Sequence, residues 1–235
     1  MSLYLIIMGV QGAGKGVQAR FIEKKYDIPQ VSTGDLFRAM KTRDDELARR
    51  VQEIMQSGQL VPDDVTNEIL QERLEQPDAA NGAIFDGYPR NREQAQFLAD
   101  YLASKNTGVS AVLLLKLDLY VAFKRAFGRV TNLEGKSYNI YSDDDGIEWQ
   151  FVDHPEKTFP PRLEAIEIET GAALNRRPDD ANAGAIIKRI DVYLQTTQPL
   201  IDYYRQAGLL IDIDAERSIK DVSSAIKEAI DRVRD

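Results

Sequence analysis

Four apolar runs govern what this chain can fold into. "LYLIIM" at Leu3 to Met8, "GAIFDG" from Gly82, "VSAVLLLKLD" from Val109 and "GLLIDID" from Gly208 are strand-like segments, and the middle two are continuous rather than alternating. A strand that is apolar on both sides has to be covered on both sides, which is the condition of parallel strands lying between helices. Helical patterns separate the runs. Gly14 to Lys25 follows the first strand, and a short strand "IPQVS" comes next. Amphipathic segments follow around Leu36 to Met40, Asp44 to Gln56 and Asp63 to Glu75. After the last run, Ile219, Val222, Ile226, Ile230 and Val233 recur at helical spacing and read as a core stripe. The fold class is α/β, a doubly wound parallel sheet flanked by helices.

The rhythm breaks from Val130 to about Arg177. This stretch is polar and includes "DDDG", "HPEK", "FPP" and "RRPDD". So long an irregular segment inside a compact domain is uncommon unless it folds as a lid or is disordered. Tyr138, Ile140, Trp149, Phe151 and Phe159 offer a small core and prolines punctuate the stretch, so a folded lid is expected. The run Asp143 to Asp145 before Gly146 lacks calcium-loop spacing, with no Glu at the twelfth position, and reads as a solvated turn. A length of 235 residues fits one α/β domain with an insertion, or two small domains.

Charge and composition exclude several partners. A net charge of -8 argues against nucleic acid and membrane surfaces, both polyanionic. A small anionic ligand remains open if the 30 Lys and Arg are concentrated locally. The chain has no Cys and a single His, His154, so neither a disulfide nor a thiolate metal site can form. The N-terminus runs into "LYLIIMG" without a basic leader, and no apolar run approaches the ~18 residues of a membrane span. The expectation is a soluble cytoplasmic protein.

The chemistry concentrates in two places. In "GVQGAGKGVQ", Gly9 to Gln18, a glycine-rich loop lies between a strand and a helix. In that position backbone N–H groups can turn onto phosphate oxygens, the helix N-terminus adds positive potential, and Lys15 can reach terminal phosphates. The hydroxyl that such loops usually place after the lysine is missing, since Gly16 and Val17 follow. The second place is "AIFDGYPRNREQ", Ala83 to Gln94. Asp86 ends a buried strand beside the loop, where it can hold magnesium through water, or else cap the helix starting near Asn91. Arg90 follows a Gly-Tyr-Pro turn and offers a planar fork to a phosphate, or else makes a surface ion pair.

"GVQGAGKG", "STGDLFR" and "FDGYPRNREQ", in this order and spacing, resemble the adenylate kinases of the nucleoside monophosphate kinase family. The resemblance covers Leu3 to Arg129 and Arg177 to Asp235. It implies a core P-loop domain over 1–32, 76–129 and 178–235, a helical monophosphate-binding arm over 33–75 and an inserted lid over 130–177 that closes over ATP. It implies reversible transfer of the γ-phosphoryl group from Mg·ATP to AMP, maintaining adenine nucleotide balance, by a monomer. Gly12, Ala13, Gly14, Lys15, Gly16 and Val17 would wrap the ATP phosphates. Thr33, Gly34, Arg38, Gln59, Leu60, Val61, Gly87, Tyr88, Pro89, Arg90 and Gln94 would hold AMP. Arg125, Arg129, Ser137 and Tyr138 would meet ATP, the main chain of Arg217 would touch adenine, and Arg177 with Arg189 would close on the phosphates. Lys15, Arg90, Arg129, Arg177 and Arg189 would carry the transfer, with Asp86 as the water-mediated magnesium partner.

Such a reaction needs no general base, because a phosphate oxygen is already an anionic nucleophile. The work is to bring two repelling anions into line and neutralise charge on the transferring group. Departures from the family lie at Val17, where it normally has Thr, and at Gln59, where many relatives have Lys. The lid also lacks the four cysteines of zinc-bearing relatives, so no zinc is expected. Residues Asn139 to Glu169 match poorly. The alternatives are a kinase for another monophosphate, against which Thr33 and Gln94 favour adenine, and a nucleotide-binding regulator without turnover, for which Val17 and Gln59 speak.

Overall fold

The computed structural model describes residues 2–56, 61–153, 162–176, 180 and 182–234. The chain divides into two compact units. One comprises Met1–Gly9, Gly14–Lys116 and Gln195–Asp235; the other comprises Val10–Ala13 and Leu117–Leu194. In chain order the elements begin with β1 (Leu3–Gly9), α1 (Lys15–Tyr26), β2 (Gln30–Ser32), α2 (Thr33–Met40), α3 (Glu46–Gln56) and α4 (Asp63–Leu74). Next come β3 (Gly82–Asp86), α5 (Arg92–Ser104), β4 (Ala111–Lys116), α6 (Leu119–Phe127), β5 (Arg129–Thr131) and β6 (Ser137–Asn139). The chain finishes with β7 (Ile147–Val152), β8 (Arg162–Glu167), α7 (Ala183–Gln206), β9 (Leu210–Asp214) and α8 (Ile219–Arg234).

In the first unit the apolar runs become a five-stranded sheet in the order β2-β3-β1-β4-β9, with every pairing parallel. All seven residues of β1 are buried, as its unbroken apolar text requires of a central strand. The chain leaves β1 to build β3 on one side and β4 on the other, so the strand order reverses at β1. Ligands of open α/β sheets bind at the carboxyl ends beside such a switch point. Here those ends are Gly9 of β1, Asp86 of β3 and Ser32 of β2, with Asp86 in register with Ile7 and Ser32. Tyr4, Ile6, Phe85, Leu98, Val112 and Leu200 share one continuous core. The helices α2, α3 and α4 close on a separate small core of Met40, Ala48, Val51, Val65 and Ile69.

The α8 stripe is buried at Val222, Ile226 and Ile230 but not at Ile219, which is 58% exposed. Ile219 is the first residue of the helix, and its carbonyl accepts from Gln18 Nε2 of α1 at 3.3 Å while its side chain stays in water.

In the second unit the polar segment folds on two short antiparallel pairs, β5 with β6 and β7 with β8. Its core differs from the expected one. Tyr138 and Ile140 are buried, joined by Val130, Ile147, Leu163, Ala165 and Leu174. Trp149 and Phe151 are 38% and 41% exposed, and Phe159 lies outside the described residues. Trp149 stands opposite Ala165, and Phe151 opposite Leu163. In this two-stranded pair the rings lie beside their buried partners and keep their own outer faces toward water. Glu167 ties this segment together, accepting hydrogen bonds from the Tyr138 hydroxyl, Thr170 Oγ1 at 2.7 Å and Asn132 Nδ2 at 3.1 Å. Those donors hold its carboxyl below the usual carboxylate range. The acidic run at Asp143 to Asp145 is exposed and lies in a turn, where Asn139 N–H donates to Asp143 O at 2.9 Å.

Among the described residues, no helix is long and apolar enough to cross a membrane.

Candidate active site

Between β1 and α1 the chain must expose N–H groups without side chains in the way. Gly14 caps α1 at φ 86° with no side-chain cap, and no acidic residue stands in the first turn. The positive end of the helix is therefore left to an external anion. Gly12 is needed for space as well as for its φ of 90°: a Cβ there would come within 2.7 Å of the Ala122 carbonyl oxygen in α6, and within 3.3 Å of Arg125 Cβ. This packing brings Arg125 against the loop. Ala13 is buried, and its N–H turns back onto Val10 O at 3.1 Å. Val17 is half-buried, and its N–H donates to Gly14 O at 3.0 Å, so that residue offers a methyl surface and no free amide. Lys15 Nζ donates to Gly9 O at 2.7 Å, holding the ammonium at the carboxyl end of β1.

Asp86 closes β3 and does not cap α5; that cap is Asn91, whose side chain accepts Gln94 N–H at 2.8 Å. The Asp86 carboxylate accepts from Gln30 Nε2 at 3.1 Å. Burial pushes its pKa up; the Lys15 ammonium opposes this and the nearby Asp35 carboxylate adds to it. Asp86 is thus a partly desolvated carboxylate facing a cation, a donor suited to an ion that keeps most of its own waters.

The turn after Asp86 gathers the residues expected at the monophosphate. Thr33 Oγ1 donates to Gly87 O at 3.1 Å. Arg90 Nε donates to the same carbonyl at 2.9 Å, and Arg90 Nη2 to Thr33 Oγ1 at 3.0 Å. Arg90 is therefore aimed by the turn and is not drawn into a surface ion pair. Burial pushes its guanidinium pKa down, while Asp86 and Asp63 push it back up. Tyr88 is buried beneath the turn and donates to Asn67 Oδ1 at 2.6 Å, with Pro89 following it. Gln94 Oε1 accepts Arg90 N–H at 2.7 Å, and Gln94 Nε2 donates to Asp63 Oδ1 at 2.6 Å. Gly34 sits under the Arg38 guanidinium, which is exposed and paired with Asp35. Val61 packs against the arm core. Gln59 and Leu60 lie outside the described residues.

In the second unit the organising residue is one the sequence did not announce. Asp180 is 0% exposed. Its carboxylate takes both Nε (2.8 Å) and Nη2 of Arg129, Gln11 Nε2 of the glycine loop at 2.6 Å, and Arg189 Nη1 at 3.5 Å. Two of the expected phosphate-binding arginines are thus brought together on one buried carboxylate. Arg176 fastens the same corner, donating to Asp180 O at 2.6 Å and to Phe127 O, the last residue of α6, with its guanidinium 4.8 Å from the Phe127 ring centre. Arg177 lies outside the described residues. Ser137 is exposed on β6, whereas the Tyr138 ring belongs to the lid core and its hydroxyl to Glu167. The Tyr138 phenol is therefore committed within this unit. Arg217 is exposed after β9 and pairs with Asp214 at 3.3 Å.

A glycine loop leaving the central strand of a parallel sheet, with an acid at the end of the neighbouring strand, is the mark of a phosphate-loop kinase. The adenylate kinase family model matches residues 7–209. An adenylate kinase of Caldanaerobacter subterraneus subsp. tengcongensis is 38% identical over 227 residues, 96% of this chain and 95% of its own length. One of Listeria monocytogenes serotype 4b is 40% identical over 220 residues, 93% of this chain and 94% of its own. One of Thermotoga neapolitana is 36% identical over 232 residues, 98% of each. The chain belongs to the adenylate kinase family. Its activity is phosphoryl transfer between ATP and AMP.

Proposed function

We propose that Lys15 and the N–H groups of Gly12, Gly14 and Gly16 bind the ATP phosphates, and that the Thr33, Gly87, Arg90 and Gln94 cluster binds AMP. The observation that carries this is the closed network in which Thr33 Oγ1, Gly87 O and the Arg90 side chain fix one another at 2.9–3.1 Å, beside Gln94. Gly34, Arg38 and Val61 contribute around the monophosphate, with Gln59, Leu60 and Arg177 completing the set. Arg125, Arg129 and Arg189 neutralise charge on the transferring group, and the backbone at Ser137 and Tyr138 and at Arg217 borders the ATP base. The AMP phosphate oxygen attacks in line and no side chain need remove a proton, so positioning and charge neutralisation supply the rate.

Magnesium travels with ATP and, when bound, neutralises phosphate charge. Asp86 orders its water shell. An ion held by phosphates, waters and one carboxylate needs no further protein ligands. The enzyme acts as a cytoplasmic monomer in nucleotide metabolism, and its net charge of -8 speaks against nucleic acid or a membrane surface as a partner.

The test is ADP formation from Mg·ATP with AMP, UMP, CMP and GMP in turn. AMP is expected to lead by at least about 10²-fold in kcat/KM, because a site built to hydrogen-bond a base edge rejects bases that leave it unpaired. Comparable kcat/KM for UMP would overturn the assignment of Gln94 and Thr33.

The raised pKa of Asp86 yields a second expectation. Folding disfavours its ionised form. The cost is absent below the unfolded value of about 3.9, grows as pH rises through the higher native value and is complete above it. Asp86→Asn keeps the shape and removes that charge. At pH 7 it is expected to raise the thermal midpoint, by about 2–4 °C for each kcal/mol relieved, while lowering turnover with Mg·ATP. A lower midpoint, or undiminished turnover, would contradict one half or the other.

A further inference from the structure

We propose that Asp63 is a specificity-determining residue of the monophosphate site: it locks the Gln94 side-chain amide in the one orientation that reads a 6-amino purine and rejects a 6-oxo purine. The inference rests on the reading of Gln94 as the group that meets the acceptor base.

An amide side chain carries an acceptor and a donor at nearly equivalent ends, and a half-turn about its last bond exchanges them. An unrestrained glutamine can therefore read two opposite patterns. One is an exocyclic amine beside an unprotonated ring nitrogen, as in adenine. The other is an exocyclic oxygen beside a ring N–H, as in hypoxanthine. Here the half-turn is blocked at both ends. Arg90 N–H, 2.7 Å from Gln94 Oε1, is a donor only, and the Asp63 carboxylate, 2.6 Å from Nε2, is an acceptor only. Turning the amide would set N–H against N–H and a carbonyl oxygen against an anion. Gln94 is only 4% exposed, so water cannot readily make good either loss. Each end keeps one further hydrogen-bonding position, an N–H and an oxygen lone pair. That pair matches a ring nitrogen and an exocyclic amine.

The second oxygen of Asp63 repeats the device. Asp63 Oδ2 accepts from Asn91 Nδ2 at 2.7 Å, which leaves Asn91 Oδ1 to cap α5 by accepting Gln94 N–H at 2.8 Å. One carboxylate thus sets two amides, and the backbone and the side chain of Gln94 are fixed together. A neutral amide at position 63 could not accept from both. Asp63 is the first residue of α4 and would serve the helix dipole equally well as a plain first-turn acid. Its neighbour Asp64 has that role too, but its side chain pairs with Arg50 at 3.0 Å, which makes it the natural control.

The experiment measures kcat and KM with Mg·ATP for AMP and for inosine monophosphate, which differs from AMP only at the 6-position and the adjoining ring nitrogen. Dissociation constants for both acceptors come from calorimetry. Asp63→Asn is expected to reduce the preference for AMP by about tenfold or more, with the larger part of the AMP loss in KM and a gain for inosine monophosphate, while Asp64→Asn keeps the wild-type preference. An equal loss for both acceptors would mean a purely structural role and would overturn the proposal, as would an unchanged preference. Gln94→Ala separates the two levels. If it erases the preference and Asp63→Asn does not, Gln94 reads the base without Asp63; if it too leaves the preference intact, the assignment of Gln94 fails and the proposal with it. A measurement on the wild type stands apart from any folding defect: the Gln94 side-chain amide proton that faces Asp63 should exchange slowly with solvent, and exchange as fast as that of an exposed glutamine would refute the lock.

Discussion

Lys15→Met is expected to lose at least about 10²-fold in kcat with the fold intact, the usual scale for removing one charged group that faces a developing transition state. Methionine keeps an unbranched chain of nearly the same length, so the half-buried site stays filled and the change isolates the ammonium. In the free protein that ammonium donates to Gly9 O at 2.7 Å, and a hydrogen bond with a charged donor is worth about 1.5–3 kcal/mol, less where solvent reaches it. Asp86 is also deprived of a cation that lowers its pKa, which adds a small penalty at neutral pH. Stability should therefore fall moderately and turnover greatly. Lys15→Arg should not restore the rate, because a planar fork cannot replace a compact ammonium anchored at the end of β1. Steady-state kinetics with saturating AMP, paired with a thermal melt, decides the matter. A variant that melts as expected yet keeps more than about a tenth of wild-type kcat would remove Lys15 from the reaction.

The parts of the enzyme differ in how far they could be read from sequence, and the difference is one of locality. The sheet was legible because β1, β3 and β4 announce double-sided burial within five to seven consecutive residues. The local placement of Lys15, Arg90 and Gln94 was legible because loop, turn and cap fall within short motifs. That the polar segment folds was legible, but not how. β5 and β6 have three residues each, too few to show a period, and the exposed rings of Trp149 and Phe151 cannot be told from core rings before their strand partners are known. Asp63 reads as an ordinary first-turn acid, and its amide partner stands 31 positions away. Asp180 is the extreme case. In "RRPDD" it looks like a solvated loop residue, and its burial depends on Arg129, 51 positions away, and Gln11, 169 positions away. Only the assembled backbone makes that carboxylate a core residue.

Asp180→Ala is therefore expected to be among the most damaging single changes outside the glycine loop. Removing one partner from a buried ion pair leaves the other charge uncompensated and costs about 3–5 kcal/mol. For a chain of this size that is a fall of roughly 10 °C or more in thermal midpoint. The substitution strips Arg129 of a two-point anchor, Arg189 of its neighbour at 3.5 Å and Gln11 of its acceptor at 2.6 Å. Asp180 does not exhaust these arginines: Arg129 turns two N–H groups to it and keeps three of its five donors. The carboxylate aims the guanidinium and leaves its other edge for a phosphate. Once the aim is lost, catalysis should fall further than stability explains, by on the order of 10²-fold in kcat/KM for Mg·ATP. Asp180→Asn should lie between, since its amide oxygen can still accept from Arg129 while its NH2 group opposes Gln11 or Arg189. Both variants should be assayed well below their own midpoints, so that loss of folded enzyme is excluded as the cause. If Asp180→Ala melts within about 2 °C of wild type, the buried pair contributes nothing to the fold; if it melts early but keeps wild-type kcat/KM at low temperature, Asp180 supports the second unit without directing Arg129 and Arg189.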